Sequence, residues 1–193
     1  MEWEQLLLAC RLPKKTGVLA ERATARNRAI LWVLFDTGMR TTEICSLRLG
    51  DVDREQGIVS VRGKGATVRR LTLGHEGQRH LLAYLDGYRL GRQAGGERAE
   101  EDALFLSEAG YPLTKSGITL LFDRLRKRAG IRRKGMGPVL LRENFAMRYL
   151  QTGGGLGTLR ELLGQKESGS FQHYVQMGNE GKANEKTSSL SIS

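Results

Sequence analysis

Helical periodicity dominates the pattern of apolar and polar positions along the chain. Apolar residues recur at helical spacing, or form short apolar runs, in most segments, which predicts a mainly helical protein. Helices are predicted over residues 2–12, 22–35, 80–90, 116–129, 139–150, 156–163 and 170–177. Residues 29–35 are all apolar, so the second of these helices is predicted to be buried on every side.

One stretch has the composition of strands instead. Residues 57–61 and 68–73 are rich in β-branched residues and flank a turn that contains Gly63-Lys64-Gly65. Two such runs around a glycine-bracketed turn predict an antiparallel hairpin. A further short extended piece is expected at residues 103–106. The predicted fold class is therefore mainly α with a small antiparallel β-sheet (α+β).

Local signals predict how the buried helix ends and how the next one begins. Gly38 is expected to end the buried helix, because glycine readily adopts the left-handed backbone at a helix terminus. Thr41 or Thr42 is then expected to cap a short helix, with Ile44 and Leu47 on its inner face.

The length and the end of the chain suggest one domain followed by a tail. A chain of 193 residues can bury roughly 70% of its unfolded surface without disulfides. After Gly178 the composition shifts to Gly, Asn, Lys and Ser, which can bury little apolar surface. We therefore expect a domain over residues 1–177 and a flexible polar tail over residues 178–193; residues 92–101 are expected to form a polar loop.

The charge points to a polyanionic partner. The formal net charge is +10 and the pI is near 10, and neutralisation of phosphates by such a protein releases counterions. Basic side chains also cluster between positions 124 and 134, where like charges repel unless something binds them. The clustered residues are Arg124, Arg126, Lys127, Arg128, Arg132, Arg133 and Lys134.

Other protein classes find little support in the sequence. There is no apolar run of about 18 residues and no signal-peptide pattern, so a cytoplasmic protein is expected. Cys10 and Cys45 are too few for a disulfide framework and are expected to be buried free thiols. The three histidines do not form a zinc motif with them.

Four residues together suggest chemistry on a phosphodiester: Arg40, Lys64, Arg142 and Tyr174. Metal-free cleavage needs a nucleophile, cations on the non-bridging oxygens and an acid for the departing oxygen. A tyrosine can form a covalent intermediate, two arginines can hold the phosphate in their planar forks, and a lysine can donate the proton.

Six segments in order give a more specific indication, since together they resemble the catalytic domain of the tyrosine recombinases, the phage-integrase family. The segments are Thr37-Gly38-Met39-Arg40-Thr41-Thr42-Glu43, Leu47-Arg48-Leu49-Gly50-Asp51-Val52-Asp53, Val61-Arg62-Gly63-Lys64-Gly65, Leu141-Arg142-Glu143-Asn144-Phe145-Ala146, Glu161-Leu162-Leu163-Gly164 and Phe171-Gln172-His173-Tyr174. The resemblance covers roughly residues 3–176.

The resemblance implies a role for each matching residue. Arg40 and Arg142 match the two arginines that clamp the phosphate, and Glu43 matches the acidic residue that supports the first of them. Lys64 matches the hairpin general acid, in preference to the nearby Arg62 or Arg69. Tyr174 matches the nucleophile that forms a 3′-phosphotyrosine bond.

Three positions depart from the family pattern. Val139 occupies the place of a histidine three residues before the second arginine, and it can neither accept a proton nor donate a hydrogen bond. Gln165 stands where the family has histidine or tryptophan, and its amide can still donate to a phosphate oxygen. Glu143 replaces a histidine beside the clamp. Loss of a general acid or base typically costs about 10²–10⁴-fold in rate, so activity is expected to be impaired.

Ordinary structural interpretations also exist for these residues. Arg40 could form a surface ion pair, Lys64 could lie in a solvated turn, and Tyr174 could anchor the last helix. His173 is expected at the surface or at an interface, and Val139 is expected to be part of the core.

The resemblance implies a site-specific recombinase or integrase that acts on double-stranded DNA as a tetramer, with no metal or nucleotide cofactor. Members of that family normally also carry an N-terminal core-binding domain, which is expected to be absent here. Two alternatives remain: a catalytically inactive DNA-binding or assembly module derived from a recombinase, and a DNA-relaxing enzyme like the type IB topoisomerases. A helix-turn-helix regulator would explain the charge but not the arginine, lysine and tyrosine arrangement.

Overall fold

The structure is a computed structural model that describes residues 2–11, 17–63, 67–89, 102–132 and 135–165. Several predicted features lie outside these residues. They are the turn at Lys64, the polar loop at 92–101, part of the basic cluster, the helix at 170–177 with Tyr174, and the polar tail.

Helices make up most of the described residues, as predicted. They are α1 (Glu2–Ala9), α2 (Val18–Thr37), α3 (Thr41–Ser46), α4 (His75–Tyr84), α5 (Lys115–Arg128), α6 (Pro138–Gln151) and α7 (Leu156–Leu163), with a 3₁₀ turn at Leu49–Asp51 and a π-helical turn at Leu85–Arg89. The strands are β1 (Val52–Asp53), β2 (Ile58–Arg62) and β3 (Val68–Thr72).

Helix α2 is the centre of the fold and is longer at both ends than the predicted 22–35. It packs against α4 and α6. Ile30, Leu31 and Leu34 are fully buried, which confirms the prediction for most of the apolar run. Trp32 and Phe35 are only half-buried. The ring of Trp3 stacks on Phe35, with ring centroids 4.2 Å apart.

Helix α2 ends at Thr37, directly before Gly38, as predicted. Gly38 adopts the left-handed conformation (φ 58°) and its N–H donates to the carbonyl of Leu34.

The predicted cap of α3 is wrong. Arg40, not Thr41 or Thr42, precedes the first helical residue, and its backbone N–H donates to the carboxylate of Glu43 at 2.7 Å. In a capping box, the carboxylate of the third helical residue accepts a hydrogen bond from the N–H of the residue that precedes the helix, as Glu43 does here.

The sheet has three antiparallel strands in the order β1-β2-β3. The predicted hairpin is present, with Val61 opposite Arg69 and Arg62 opposite Val68. The two-residue strand β1 was not predicted, because two residues are too few to produce an alternating pattern. Side chains alternate across β3, where Arg69 and Leu71 face inward and Arg70 faces solvent.

The segment after β3 starts its helix five residues earlier than predicted, at His75. The π-helical turn that follows brings Arg89 into the interior, where it donates twice to the carbonyl of Ala103. Residues 103–106 form isolated bridges rather than a strand: Ala103 pairs with Arg48, and Leu106 pairs with Pro112.

Helix α5 matches its prediction, with Ile118, Leu121, Phe122 and Leu125 buried. Thr114 caps it by accepting a hydrogen bond from the Gly117 N–H. Part of the basic cluster has partners within the fold. Arg128 donates to the carbonyls of Ala9 and Arg11, and Arg126 donates to the carbonyl of Ile131. The positive charge of this helix therefore also stabilises the carboxyl end of α1.

Helix α7 packs against α6 and β3, and its residue Leu162 lies at the margin of the main core. Its buried apolar cluster is small and consists of Ala146, Leu159 and Leu163, with Phe145, Tyr149 and Leu150 packed around them. Helix α7 therefore depends on other contacts to fix its position.

Two remaining predictions concern the cysteines and the membrane. Cys10 is buried, as predicted, and burial raises the pKa of its thiol to about 12. Cys45 is only half-buried, and the same cause raises its pKa to about 11. Within the described part of the chain, no helix is both long enough and apolar enough to cross a membrane.

Candidate active site

Arg142 is buried, with 9% of its surface exposed. It projects from α6 toward two loop or helix ends. One terminal nitrogen donates to the carbonyl of Gly38 at 2.7 Å, and the other donates to the carbonyl of Leu163 at 2.8 Å. The left-handed turn at Gly38 presents that carbonyl, and a Cβ there would lie 2.6 Å from the Phe145 ring. A buried guanidinium with two charge-assisted bonds is held in one orientation.

Arg40 reaches the same helix end from the opposite side. Its terminal nitrogens donate to the carbonyl of Gly164 at 2.9 Å and to the carboxylate of Glu43 at 3.2 Å. The side chain is 42% exposed, so it is both anchored and accessible to solvent. Arg40 and Arg142 therefore contact the carbonyls of two consecutive residues, although 102 positions separate them in the sequence (142 − 40).

The carboxylate of Glu43 accepts hydrogen bonds from both Arg40 and Arg69, and so connects Arg40 to strand β3. Burial raises the pKa of its carboxyl, but hydrogen bonds from Arg69 and the Arg40 N–H, together with the charges of both guanidinium groups, outweigh burial and lower the pKa overall. Glu43 is therefore an anion that orients Arg40. The supporting role that the resemblance implied is consistent with this geometry.

Arg69 belongs to this cluster, although sequence reasoning set it aside in favour of Lys64. Its Nε donates to the carbonyl of Leu162 at 2.8 Å, and its terminal nitrogen donates to Glu43 at 2.7 Å. The alternation of β3 carried a signal, since Arg69 shares the inward face with Leu71. An arginine at an inward strand position needs a partner, because burial of an unpaired charge is costly.

These groups form one unit, which we call the arginine junction. It consists of the side chains of Arg40, Glu43, Arg69 and Arg142 and the carbonyls of Leu162, Leu163 and Gly164. Three guanidinium groups thus meet the carboxyl end of α7, where the helix dipole is negative and the last carbonyls lack partners within the helix. The junction gathers positive charge at the end of α7, with Arg40 as its exposed member and Arg69 and Arg142 largely buried.

Gln165 directly follows the junction. Its backbone N–H donates to the carbonyl of Arg160 at 3.1 Å, which continues the helix end around Gly164. Its side-chain oxygen is buried and accepts no hydrogen bond from the described residues. The structure thus places Gln165 next to the Arg40 contact.

Val139 is not part of the core, contrary to the prediction. It is 69% exposed at the second position of α6, whereas Leu141 in the same first turn is buried, so Val139 lies on the side of the helix that faces away from the core. Arg142, one turn later, is buried.

Lys64 and Tyr174 lie outside the described residues. The flanks of the Lys64 turn are described, and they form a closed hairpin base. The N–H of Gly63 donates to the carbonyl of Thr67 at 2.7 Å. Arg62, the last residue of β2, donates to Asp51 at 2.9 Å, and Arg69 is the second residue of β3.

The chain belongs to the phage integrase family, whose model, described as "Phage integrase family", matches residues 2–180. The family match includes every element of the arginine junction. The predicted recognition and the predicted fold class are thereby confirmed.

Similar proteins agree with the family match. The chain is 36% identical over 152 residues to the tyrosine recombinase XerC of Bacillus pumilus, which covers 79% of this chain and 50% of that protein. The crystal structure of the XerA recombinase has a TM-score of 0.76 at 30% identity, with 97% of this chain and 61% of that one covered. The XerH site-specific recombinase, solved bound to difH substrate in a pre-cleavage complex, has a TM-score of 0.71 at 25% identity and covers 90% of this chain and 48% of that one. The chain spans about half the length of the curated relatives that it matches.

Proposed function

We propose that residues 1–177 form the catalytic domain of a site-specific DNA recombinase that cleaves and rejoins DNA through a 3′-phosphotyrosine intermediate. One observation carries the proposal: Arg40 and Arg142, far apart in sequence, converge on consecutive carbonyls at the end of α7. Two arginine forks at one point can hold the non-bridging oxygens of a phosphate. Family membership and the similarity to XerC support the same assignment.

The proposed step exchanges one phosphodiester for another. The Tyr174 oxygen bonds to phosphorus, and the bond from phosphorus to the 5′ oxygen breaks. Lys64 donates a proton to the departing 5′ oxygen, and the phenolic proton goes to water, because Val139 has no atom that accepts it. Arg40 and Arg142 stabilise the negative charge that builds up on the non-bridging oxygens. The stored bond energy allows the reverse step to rejoin the strand.

The proposed partner is double-stranded DNA. The net charge of +10 favours a polyanion, and the exposed basic residues on α5 add to the charge that the arginine junction presents. XerH, one of the similar proteins, was solved bound to its difH substrate. Binding is expected to weaken steeply with salt, and we propose that copies of the chain assemble as a tetramer on DNA, as the family resemblance implies.

Val139 and Gln165, which stand where the family has other residues, are expected to affect the rate of DNA cleavage. We propose that Val139 and Gln165 slow the reaction without abolishing it. The exposed position of Val139 has room for a larger side chain, so Val139→His should be accepted without loss of folding. Gln165 can contribute a hydrogen bond to the phosphate through its amide.

The test uses a library of nicked DNA duplexes with randomised sequences, in which the cleaved fragment diffuses away and the adduct is trapped. Wild-type protein should yield a complex that survives denaturing gel electrophoresis, and its DNA should converge on one sequence. Tyr174→Phe should yield none. Adducts that persist in Tyr174→Phe, or adducts without any sequence preference, would contradict the proposal.

A second experiment separates a slow site from an inactive one. Val139→His with Gln165→His should raise the adduct rate by up to about 10²–10⁴-fold, the usual contribution of a general acid or base. A rate for the double variant equal to that of the wild type would show that the replaced positions do not limit the reaction.

A further inference from the structure

Arg69 joins three parts of the proposed active site. It belongs to β3, the second strand of the hairpin whose turn carries Lys64. Its terminal nitrogen donates to Glu43, the carboxylate that orients Arg40. Its Nε donates to the carbonyl of Leu162, near the end of the helix that leads to Gln165. No other side chain of the arginine junction comes from the hairpin.

The geometry requires an arginine at this position. The two donated bonds leave one planar group in different directions, one toward α3 and one toward α7, at 2.7 and 2.8 Å. A guanidinium holds several donors in a fixed plane, whereas a lysine ammonium is a point charge on a flexible stem. The side chain is only 14% exposed and Glu43 only 10%, so solvent screens this pair weakly.

Gly164 adds a second contact with the same side chain. Its backbone is left-handed (φ +59°), and a Cβ there would lie 2.9 Å from a terminal nitrogen of Arg69 and 3.1 Å from Cζ. The guanidinium thus packs against the helix end itself. Arg40 donates to the carbonyl of this same glycine.

We propose that Arg69 is a positioning residue, which acts by holding Glu43 and the carboxyl end of α7 in register with the Lys64 hairpin. Arg69 does not contact the phosphate in this account; it acts through Arg40, Lys64 and the segment after Gly164. The inference rests on the proposed function for its effect on rate. Its structural part, the attachment of α7 to the hairpin, can be measured without DNA.

The experiment compares Arg69→Gln and Arg69→Lys with Arg70→Gln. Arg70 is a matched control because it carries the same charge on the same strand, but it faces solvent and is 64% exposed. Arg69→Gln should lower the single-turnover adduct rate about 10²-fold at saturating protein, the loss expected from a displacement of about 1 Å in a reacting group. Its dissociation constant for the duplex recovered from the library should change little. Arg69→Lys should keep the charge yet recover only part of the rate.

Amide hydrogen exchange measures whether α7 is held in place, and it does not depend on DNA cleavage. In Arg69→Gln, exchange of the Gln165 N–H should accelerate about tenfold, which corresponds to the loss of one hydrogen bond. Exchange in α2 should not change. Arg70→Gln should leave both the Gln165 exchange and the adduct rate unchanged, because among the described residues Arg70 contacts neither Glu43 nor α7 and pairs only with Asp53 at the surface.

A pair of glycine variants tests the packing contact separately. Gly164→Ala and Gly153→Ala both place a methyl group on a left-handed backbone, but only the former meets Arg69; nothing lies within 4 Å of a Cβ at Gly153. Gly164→Ala should reproduce the rate loss and the faster Gln165 exchange, and Gly153→Ala should not.

The outcomes separate the two proposals. Absence of any adduct with the wild type would overturn the proposed function, while the exchange measurements would still decide whether Arg69 holds α7. Wild-type exchange at Gln165 in Arg69→Gln, or a wild-type adduct rate in that variant, would overturn the positioning role. If Arg69→Gln does not fold, Arg69→Lys decides the question by the same two measurements.

Discussion

The main core and the arginine junction are held by different forces. The core around α2 consists of apolar side chains from several elements, including the fully buried Ile30 and Leu31. Helix α7 contributes Leu162 to the margin of this core, and it shares a small apolar cluster with α6 that is centred on Leu159 and Leu163. What attaches its carboxyl end to α3, α6 and β3 is the set of hydrogen bonds from three guanidinium groups.

The apolar core and the arginine junction contribute in different ways: the core mainly stabilises the fold, and the junction mainly fixes the positions of the site residues. Hydrophobic burial is roughly proportional to the apolar area removed from water, and it has no preferred direction. Charge-assisted hydrogen bonds are short and directional, and each one fixes the position of a particular group. Substitutions in the core should therefore change mainly the free energy of unfolding, whereas substitutions in the arginine junction should change mainly the rate of adduct formation.

The largest effect on stability is expected from Leu31→Ala. Removal of a fully buried leucine side chain should cost about 2–5 kcal/mol of unfolding free energy, from lost burial and the cavity left behind. Urea unfolding measures this cost, and the adduct rate of the folded protein should not change. Leu120→Ala is the control, because Leu120 is exposed and should cost within about 0.5 kcal/mol. Equal costs for the two variants would show that α2 is not the centre of the core.

A smaller loss of stability with a larger loss of rate is expected from Arg142→Met. The variant leaves the carbonyls of Gly38 and Leu163 without a charged donor, which should cost about 1–3 kcal/mol. The adduct rate should fall about 10²–10³-fold, as when one donor to a developing oxyanion is removed. Arg148→Met is a control on the same helix; Arg148 lies over the Phe35 ring, away from the arginine junction. Similar losses of adduct rate in the two variants would contradict a specific role of Arg142 in the reaction.

The two regions should respond to pH with opposite sign. Burial raises the pKa of Asp36 beside α4, although the Gly74 N–H and the charge of Arg148 lower it, whereas the pKa of Glu43 is lowered overall. A lowered pKa contributes stability above the ordinary value of 4.5, and this contribution is lost as the pH falls below it. A raised pKa contributes stability below the ordinary value of 3.8, and this contribution is lost as the pH rises through the raised pKa.

Two variants measure this difference in unfolding experiments between about pH 3 and pH 7. The stability lost in Glu43→Gln should be greatest near neutral pH and should shrink as the solution becomes acidic. The stability of the wild type relative to Asp36→Asn should instead decrease as the pH rises. Parallel pH profiles for the two variants would contradict the assignment of opposite shifts.

The smallest effect is expected from Val139→Thr. Because Val139 is exposed at the start of α6, the unfolding free energy should change by no more than about 0.5 kcal/mol. Thermal or urea unfolding checks this value. A loss of more than about 2 kcal/mol, typical of a buried methyl-bearing side chain, would mean that this residue is covered after all.

Regular elements of the fold could be predicted from the sequence because their signals are local. The spacing of Ile118, Leu121 and Leu125 fixed the inner face of α5, and Gly38 marked the end of α2. Arg40 and Arg142 were found by the motifs around them. The cap of α3 was missed because the residue that precedes the helix is Arg40, which is not a usual capping residue, and its N–H is bound by the carboxylate of Glu43.

Contacts between distant segments could not be predicted in the same way. Arg69 and Leu162 are far apart in sequence and meet only because α7 packs against β3. Val139 was expected in the core because it is apolar, but an apolar residue is buried only where another element covers it. Both cases depend on tertiary packing, which cannot be predicted from the spacing of apolar residues along the chain.

The most direct test of the account is to identify the residue that carries the DNA. The trapped adduct can be digested with nuclease and protease and analysed by mass spectrometry. The account predicts a nucleotide attached through its 3′ phosphate to the peptide that contains Tyr174, with the yield sharply reduced in Arg142→Met. Attachment to any other residue, or cleavage of DNA without a covalent peptide, would contradict it.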